Sequence, residues 1–173
     1  DGRASALSHG SKLILETANI WPNIGKDAEP IWQIRVSDNK SKLFLHYSYR
    51  DLGEEALGFM IENHKIRQGL YQAVASRSNI ALIAPASVTV AERNAGCANV
   101  TLADNRNVSA PLIVGADGAN SQLRRHAKVR AFEKDYLQTA LVLTVEHERP
   151  HRGIAHEHFR PSGPFAMLPL NGN

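Results

Sequence analysis

Apolar positions recur along this chain first with a helical period and then with the period of strands. From Leu7 to Trp21 the apolar residues Leu13, Ile14, Leu15 and Ile20, with Ser8 or Ser11 available as a cap, predict a helix that ends before Pro22. Ile31 to Val36 and Leu43 to Tyr49 alternate, which predicts two strands joined by the turn Ser37-Asp38-Asn39-Lys40, and Ala56 to Ile61 offers a third. Between His64 and Arg77, the residues Ile66, Leu70, Tyr71, Val74 and Ala75 fall on one helical face, and Ser78-Asn79 ends that helix.

Beyond this helix the period becomes two. Ile80 to Ile83, Ser87 to Ala91, Ala98 to Leu102 and Val108 to Val114 are strand candidates separated by turns such as Asn94-Ala95-Gly96 and Asp104-Asn105, and a meander is their natural arrangement. Pro111 marks where the last strand leaves the meander. The unbroken run Leu112-Ile113-Val114 then predicts a buried strand of a parallel sheet covered on both faces. A short helix from Ala119 to Ala127 follows, and Leu137 to Val145, Gly153 to Phe159 and Phe165 to Leu170 predict a second set of strands. The fold class is α/β of mixed α+β character, without internal repeats or low-complexity segments.

Composition limits what such a chain can be. With 173 residues, 43% of them hydrophobic, it can bury one sizeable core and a smaller second one without disulfides or a structural metal. The net charge is +3 and no basic run tracks a phosphate backbone, so nucleic acid is not an expected partner. Cys97 is the one cysteine; an internal disulfide is excluded, and a small packed residue in a reducing compartment is expected. No apolar stretch is long enough to cross a bilayer and the first residues lack the pattern of a signal peptide, which predicts a soluble or peripheral protein. Asp1 at one end, and Gly172-Asn173 directly after the apolar run Phe165 to Leu170 at the other, read as cuts in a longer polypeptide.

The candidate chemistry centres on Gly115-Ala116-Asp117-Gly118-Ala119-Asn120-Ser121-Gln122-Leu123-Arg124, between an apolar strand and a helix start. Ligands of open α/β sheets bind outside the carboxyl ends of strands, where helix N-termini offer free N–H groups. Gly115 and Gly118 permit close ligand approach, and the Asp117 carboxylate can accept from a ribose hydroxyl or orient the turn. The plainer reading is a strand ending in an Asp-Gly turn, with Asn120 or Asp117 capping a helix and Arg124 on the surface; spacing alone leaves both open. His147-Glu148-Arg149-Pro150-His151 matches the H-E-x-x-H pattern of zinc hydrolases, but Pro150 opposes the helix that pattern requires. It reads as a turn with solvated histidines, and His156 and His158 as exposed histidines on one strand face. No metal is expected.

GADGANSQLR resembles the GADGxxSxxR element of the class A flavoprotein monooxygenases, which share the fold of para-hydroxybenzoate hydroxylase. DGRASALSHGS resembles that family's arginine-bearing segment leading into a helix, and IENHKIRQGL the helix after its first substrate-domain strands. YLQTALVLTVEHERPHRGIAHEHFRPSGPFAMLPL, with IWPNI and PIWQIRVSD, is similar to the ubiquinone-biosynthesis branch of the family, the hydroxylases of 2-octaprenylphenol and 2-octaprenyl-6-methoxyphenol.

The resemblance implies an FAD-binding doubly wound domain with a β-meander, built in part from residues 1–29 and 62–128, and a substrate-binding sheet domain from residues 30–61 and 129–173. It implies cofactor-binding roles for Arg3 near the FAD phosphates or ribose, Asn63 and Arg67 near the adenosine side, and Asp117 with Gly118 near the pyrophosphate and the approach of the pyridine nucleotide. The plainer fates are a frayed terminal residue for Arg3 and an exposed helical arginine for Arg67. It names no catalytic side chain. The implied reaction uses NAD(P)H, FAD and O₂, through a flavin hydroperoxide, to hydroxylate a polyprenylated phenol or quinone precursor under a largely apolar sheet.

The family's G-x-G-x-x-G turn would precede Asp1 and its glycine-aspartate segment would follow Asn173. Without them the chain as it stands is expected to be inactive and free of cofactor. Unpaired strand edges predict self-association into a homo-oligomer, and the polyprenyl substrate predicts a cytoplasmic protein peripheral to the inner membrane. The alternatives are an epoxidase or prenyl reductase relative, or a non-catalytic binding or assembly module of the same fold.

Overall fold

The computed structural model describes residues 2–94 and 96–172; Ala95, in the turn expected at Asn94-Ala95-Gly96, lies outside the described residues, as do Asp1 and Asn173. In chain order the strands are β1 (Ala4–Ser8), β2 (Glu29–Ile31), β3 (Gln33–Asp38), β4 (Phe44–Ser48), β5 (Gly58–Glu62), β6 (Val88–Asn94), β7 (Cys97–Leu102), β8 (Asn107–Ala110), β9 (Ile154–Arg160) and β10 (Gly163–Met167). The helices are α1 (His9–Thr17), α2 (Trp21–Ile24), α3 (Asn63–Ala75) and α4 (Gln122–His126). They divide into two compact units, one running up to Ile80 and resuming at Leu141, the other spanning Ala81–Ala140.

The first unit holds two sheets. In one, β5 lies between β1 and β2, antiparallel to both. The helix predicted from Leu7 therefore starts later than its apolar spacing suggested. Ala4 to Ser8 pair with Glu62 to Gly58, and this long-range ladder claims them as strand. Ser8 then caps α1, its hydroxyl accepting from the Ser11 N–H at 3.1 Å. Pro22 sits in the first turn of α2, where its missing N–H costs nothing.

The other sheet has the order β10-β9-β3-β4. β3 and β4 form the hairpin read from the sequence, β9 and β10 form a second, and the two hairpins join through the parallel pairing of Gln33–Asp38 with Ile154–Phe159. Ile31, Met60 and Ala155 pack together between the sheets with Ala4, Ile34 and Leu170 against them. This is the smaller share of apolar surface that folding must bury, and it draws on β1, β2, β3, β5 and β9.

α3 covers the residues expected for it but presents a different face. Its buried residues are Gly69 and Ala73, while Leu70 and Tyr71 are exposed. A Cβ on Gly69 would lie 2.1 Å from Ile24 Cγ2, so α2 approaches α3 where its side chains are smallest. Close backbone approach at small residues has displaced the broader apolar stripe from the contact.

The second unit is the three-stranded antiparallel meander β6-β7-β8 followed by α4. Two expectations fail here. Ile80 to Ile83 forms no strand. Leu112-Ile113-Val114 leaves β8 after Pro111 as foreseen, yet it is not a buried parallel strand: Leu112 is 75% exposed and Val114 74%. Leu137 to Val145 is likewise irregular, with Leu143 70% exposed. A strand exists only where a neighbour supplies hydrogen bonds, and among the described residues neither run has one.

Candidate functional site

Arg3, Asn63 and Arg67 lie in the first unit, where β1 and β5 hold them in register. The Asn63 backbone N–H donates to the Arg3 carbonyl at 2.8 Å, and the Ser5 hydroxyl donates to Asn63 Oδ1 at 2.6 Å. Asn63 opens α3 directly after β5, and Arg67, four residues on, shares its face and is exposed.

The first turn of α3 is unusual for a helix start. No side chain caps it, it carries no acidic residue, and His64 and Lys65 stand in it, Lys65 pairing with Asp27 at 3.4 Å. Glu62 precedes this turn as its N-cap and lies 3.9 Å from His64.

Asp117 and Gly118 lie in the second unit. Gly118 has φ +83°, a left-handed conformation that favours glycine, and its carbonyl accepts from the Ser121 N–H at 3.1 Å. The Asp117 carboxylate accepts from the Ser121 hydroxyl at 2.5 Å and from the N–H groups of Gln122 and Leu123 at 2.6 and 3.2 Å. These donors, the Ser121 hydroxyl foremost, hold its pKa down to about 2. Of the two roles that spacing left open for Asp117, orienting the turn is the one its hydrogen bonds perform.

Ser121, buried and serving as N-cap of α4 through the Arg124 N–H at 3.0 Å, was not singled out from the sequence. Its signal was there, because a serine directly before the first helical residue is a preferred N-cap.

The region around His147 to His151 is a bend, not a helix, as Pro150 required. His151, however, is not solvated. Its Nδ1 accepts the Gly153 N–H and its Nε2 donates to the Gly172 carbonyl, both at 2.9 Å. His158 also has a partner, the Ser37 hydroxyl at 2.7 Å. Among the described residues no group of His, Cys, Asp or Glu is placed to hold a metal ion, and no helix is long and apolar enough to cross a membrane.

This fold is that of FAD-dependent monooxygenases. A variant of HpxO from Klebsiella pneumoniae, solved in complex with FAD, superimposes with a TM-score of 0.66 at 14% identity, over 99% of this chain and 46% of that one. The homologues that match the whole chain are ubiquinone hydroxylases. The ubiquinone hydroxylase UbiL of Rhodospirillum rubrum is 44% identical over 173 residues, which is 100% of this chain and 40% of that protein. The 3-demethoxyubiquinol 3-hydroxylase of Escherichia coli is 28% identical over 174 residues, 100% of this chain and 44% of that protein. The chain thus spans less than half the length of these relatives. No protein-family model matches it.

Proposed function

We propose that this chain carries part of the cofactor-binding and substrate-facing structure of an FAD-dependent monooxygenase. The reaction adds one oxygen atom from O₂ to the ring of a polyprenylated phenol or quinone precursor of ubiquinone, with NAD(P)H as reductant. The observation that carries the reading is the 44% identity with a ubiquinone hydroxylase from end to end of the chain.

When bound, FAD supplies the redox chemistry that activates O₂. The chain's own residues bind and orient. Asn63 and Arg67, on one face of α3, offer donors to the adenosine side, and Arg3, just before β1, adds positive charge toward the phosphates. Gly118 lets the backbone approach the pyrophosphate, and Asp117 holds that turn in shape. Residues 1–29 and 62–128 are assigned to the cofactor side, and 30–61 with 129–173 to the substrate side.

By itself the 173-residue chain should hold FAD weakly. The Asp117 carboxylate is already satisfied within its turn, and the run Leu112 to Val114 lies open to solvent. A stoichiometric flavin absorbance band after purification would contradict this. We also infer that copies associate through free sheet edges and that the enzyme works at the membrane surface where polyprenyl substrates reside.

The test is expression from the native gene in a bacterium lacking a ubiquinone ring hydroxylase, with prenylated intermediates resolved by mass spectrometry. The accumulated under-hydroxylated phenol should be replaced by its hydroxylated product. An epoxidised or reduced prenyl chain would instead assign the protein to those related chemistries, and an unchanged profile would favour a non-catalytic module.

A further inference from the structure

The bend before β9 and the end of β10 enclose a cavity of about 480 Å³ that the hydroxylation reading does not use. Arg149, Arg152, His147 and His156 line it together with the apolar Met167, Leu168 and Pro169. Arg152 also borders a second cavity of about 550 Å³, which adds Arg50 and His46.

The arginines are not neutralised from within. Neither Arg149 nor Arg152 has an ion pair among the described residues. Their sequence neighbours Glu146 and Glu148 are exposed and do not line the cavity. Glu29 comes within 4.0 Å of His151 Nδ1, which accepts the Gly153 N–H.

Arg152 is also set in place by its backbone. Its φ of +54° lies in the left-handed region that side-chain-bearing residues seldom adopt, and the carbonyl of the next residue, Gly153, accepts from the Trp32 N–H at 2.8 Å. Across the sheet His156 is paired with Arg35, whose buried Nε has no hydrogen-bond partner. Glu54 shares the second cavity with Arg152 but forms no ion pair with it among the described residues.

Two guanidinium groups without an ion pair match paired oxygens of a tetrahedral anion. The apolar lining calls for hydrocarbon beside the charge. We propose that this cavity binds a phosphate ester with an apolar body, its phosphate on Arg149 and Arg152 and its hydrocarbon against Met167 and Leu168. The site shares no residue with the set Asn63, Arg67 and Asp117, and it stands or falls independently of the reaction proposed above.

Calorimetric titration of the full chain with dihexanoyl phosphatidic acid and with inorganic phosphate tests it. The amphiphile should bind at least about tenfold more tightly than inorganic phosphate, and R149Q and R152Q should each weaken it about tenfold. Met167→Ser should weaken the amphiphile and leave inorganic phosphate unchanged, whereas Arg93→Gln in the other unit should alter neither. Co-sedimentation with phosphatidylcholine vesicles containing phosphatidic acid would identify the source as a bilayer lipid; soluble binding without co-sedimentation would identify a free phosphate ester. Equal affinity for both soluble probes, or R149Q and R152Q variants that bind as the parent does while keeping its thermal midpoint, overturns the proposal.

Discussion

Spacing left Asp117 either to accept from a ligand hydroxyl or to orient its turn, and its carboxylate accepts from Ser121, Gln122 and Leu123 of that turn. Because its folded pKa is depressed, its contribution to stability is complete above the ordinary value near 3.8 and is lost as pH falls toward 2. Asp117→Asn should therefore flatten the acid limb of a stability profile over that window, and an unchanged limb would contradict the assignment. Ser121→Ala removes the cap of α4 and should cost about 1 kcal/mol in urea unfolding.

His156 works in the same direction at higher pH. Burial, and then the charge of Arg35, lower its pKa below 6.5. A base harder to protonate in the folded state opposes folding as it gains its proton, so its effect is absent above 6.5 and stability declines as pH drops below that value. The urea midpoint should fall over this range, and His156→Gln should remove that part of the fall.

At the scale of elements, the contact between α2 and α3 depends on a missing side chain. Gly69→Ala forces a methyl group against Ile24 and should destabilise by about 1–3 kcal/mol. Ile24→Ala, which removes Cγ2, should offset part of that clash in the same protein, a coupling that a double-mutant cycle measures.

The elements also show what was legible in the sequence. The meander β6-β7-β8 and the β3-β4 hairpin were readable because alternation and the turns at Asp104-Asn105 and Asp38-Asn39 are local signals. β1 was not, since its strand character comes from β5, some 58 residues away along the chain at the Ala4–Glu62 pair. Leu112 to Val114 and Leu137 to Val145 were read as strands from apolar content, which shows a taste for burial but supplies no hydrogen-bonding neighbour. Of the candidate site, the residue types at Asn63, Arg67, Asp117 and Gly118 were visible. The cavity beside Arg152 was not, because a positive φ and a contact between the β9 and β10 ends leave no local pattern.

Across the whole molecule, apolar surface remains uncovered. β4 is a sheet edge, and Phe44 and Leu45 on it are exposed, as are Phe165 and Met167 on the opposite edge β10. Free edges bearing apolar side chains pair with one another. Light scattering at micromolar concentration should give a mass above that of one chain, and Leu45→Lys should lower it; a monomeric mass for the parent chain would count against self-association through β4.

The proposed reaction, oxygen insertion into a prenylated ring, rests on the end-to-end similarity to a ubiquinone hydroxylase. The most direct measurement is mass spectrometry of the prenylated product made under ¹⁸O₂ by cells expressing the protein from its native gene. The ring product should carry one labelled oxygen, while a product without label, or with oxygen drawn from water, would contradict a monooxygenase.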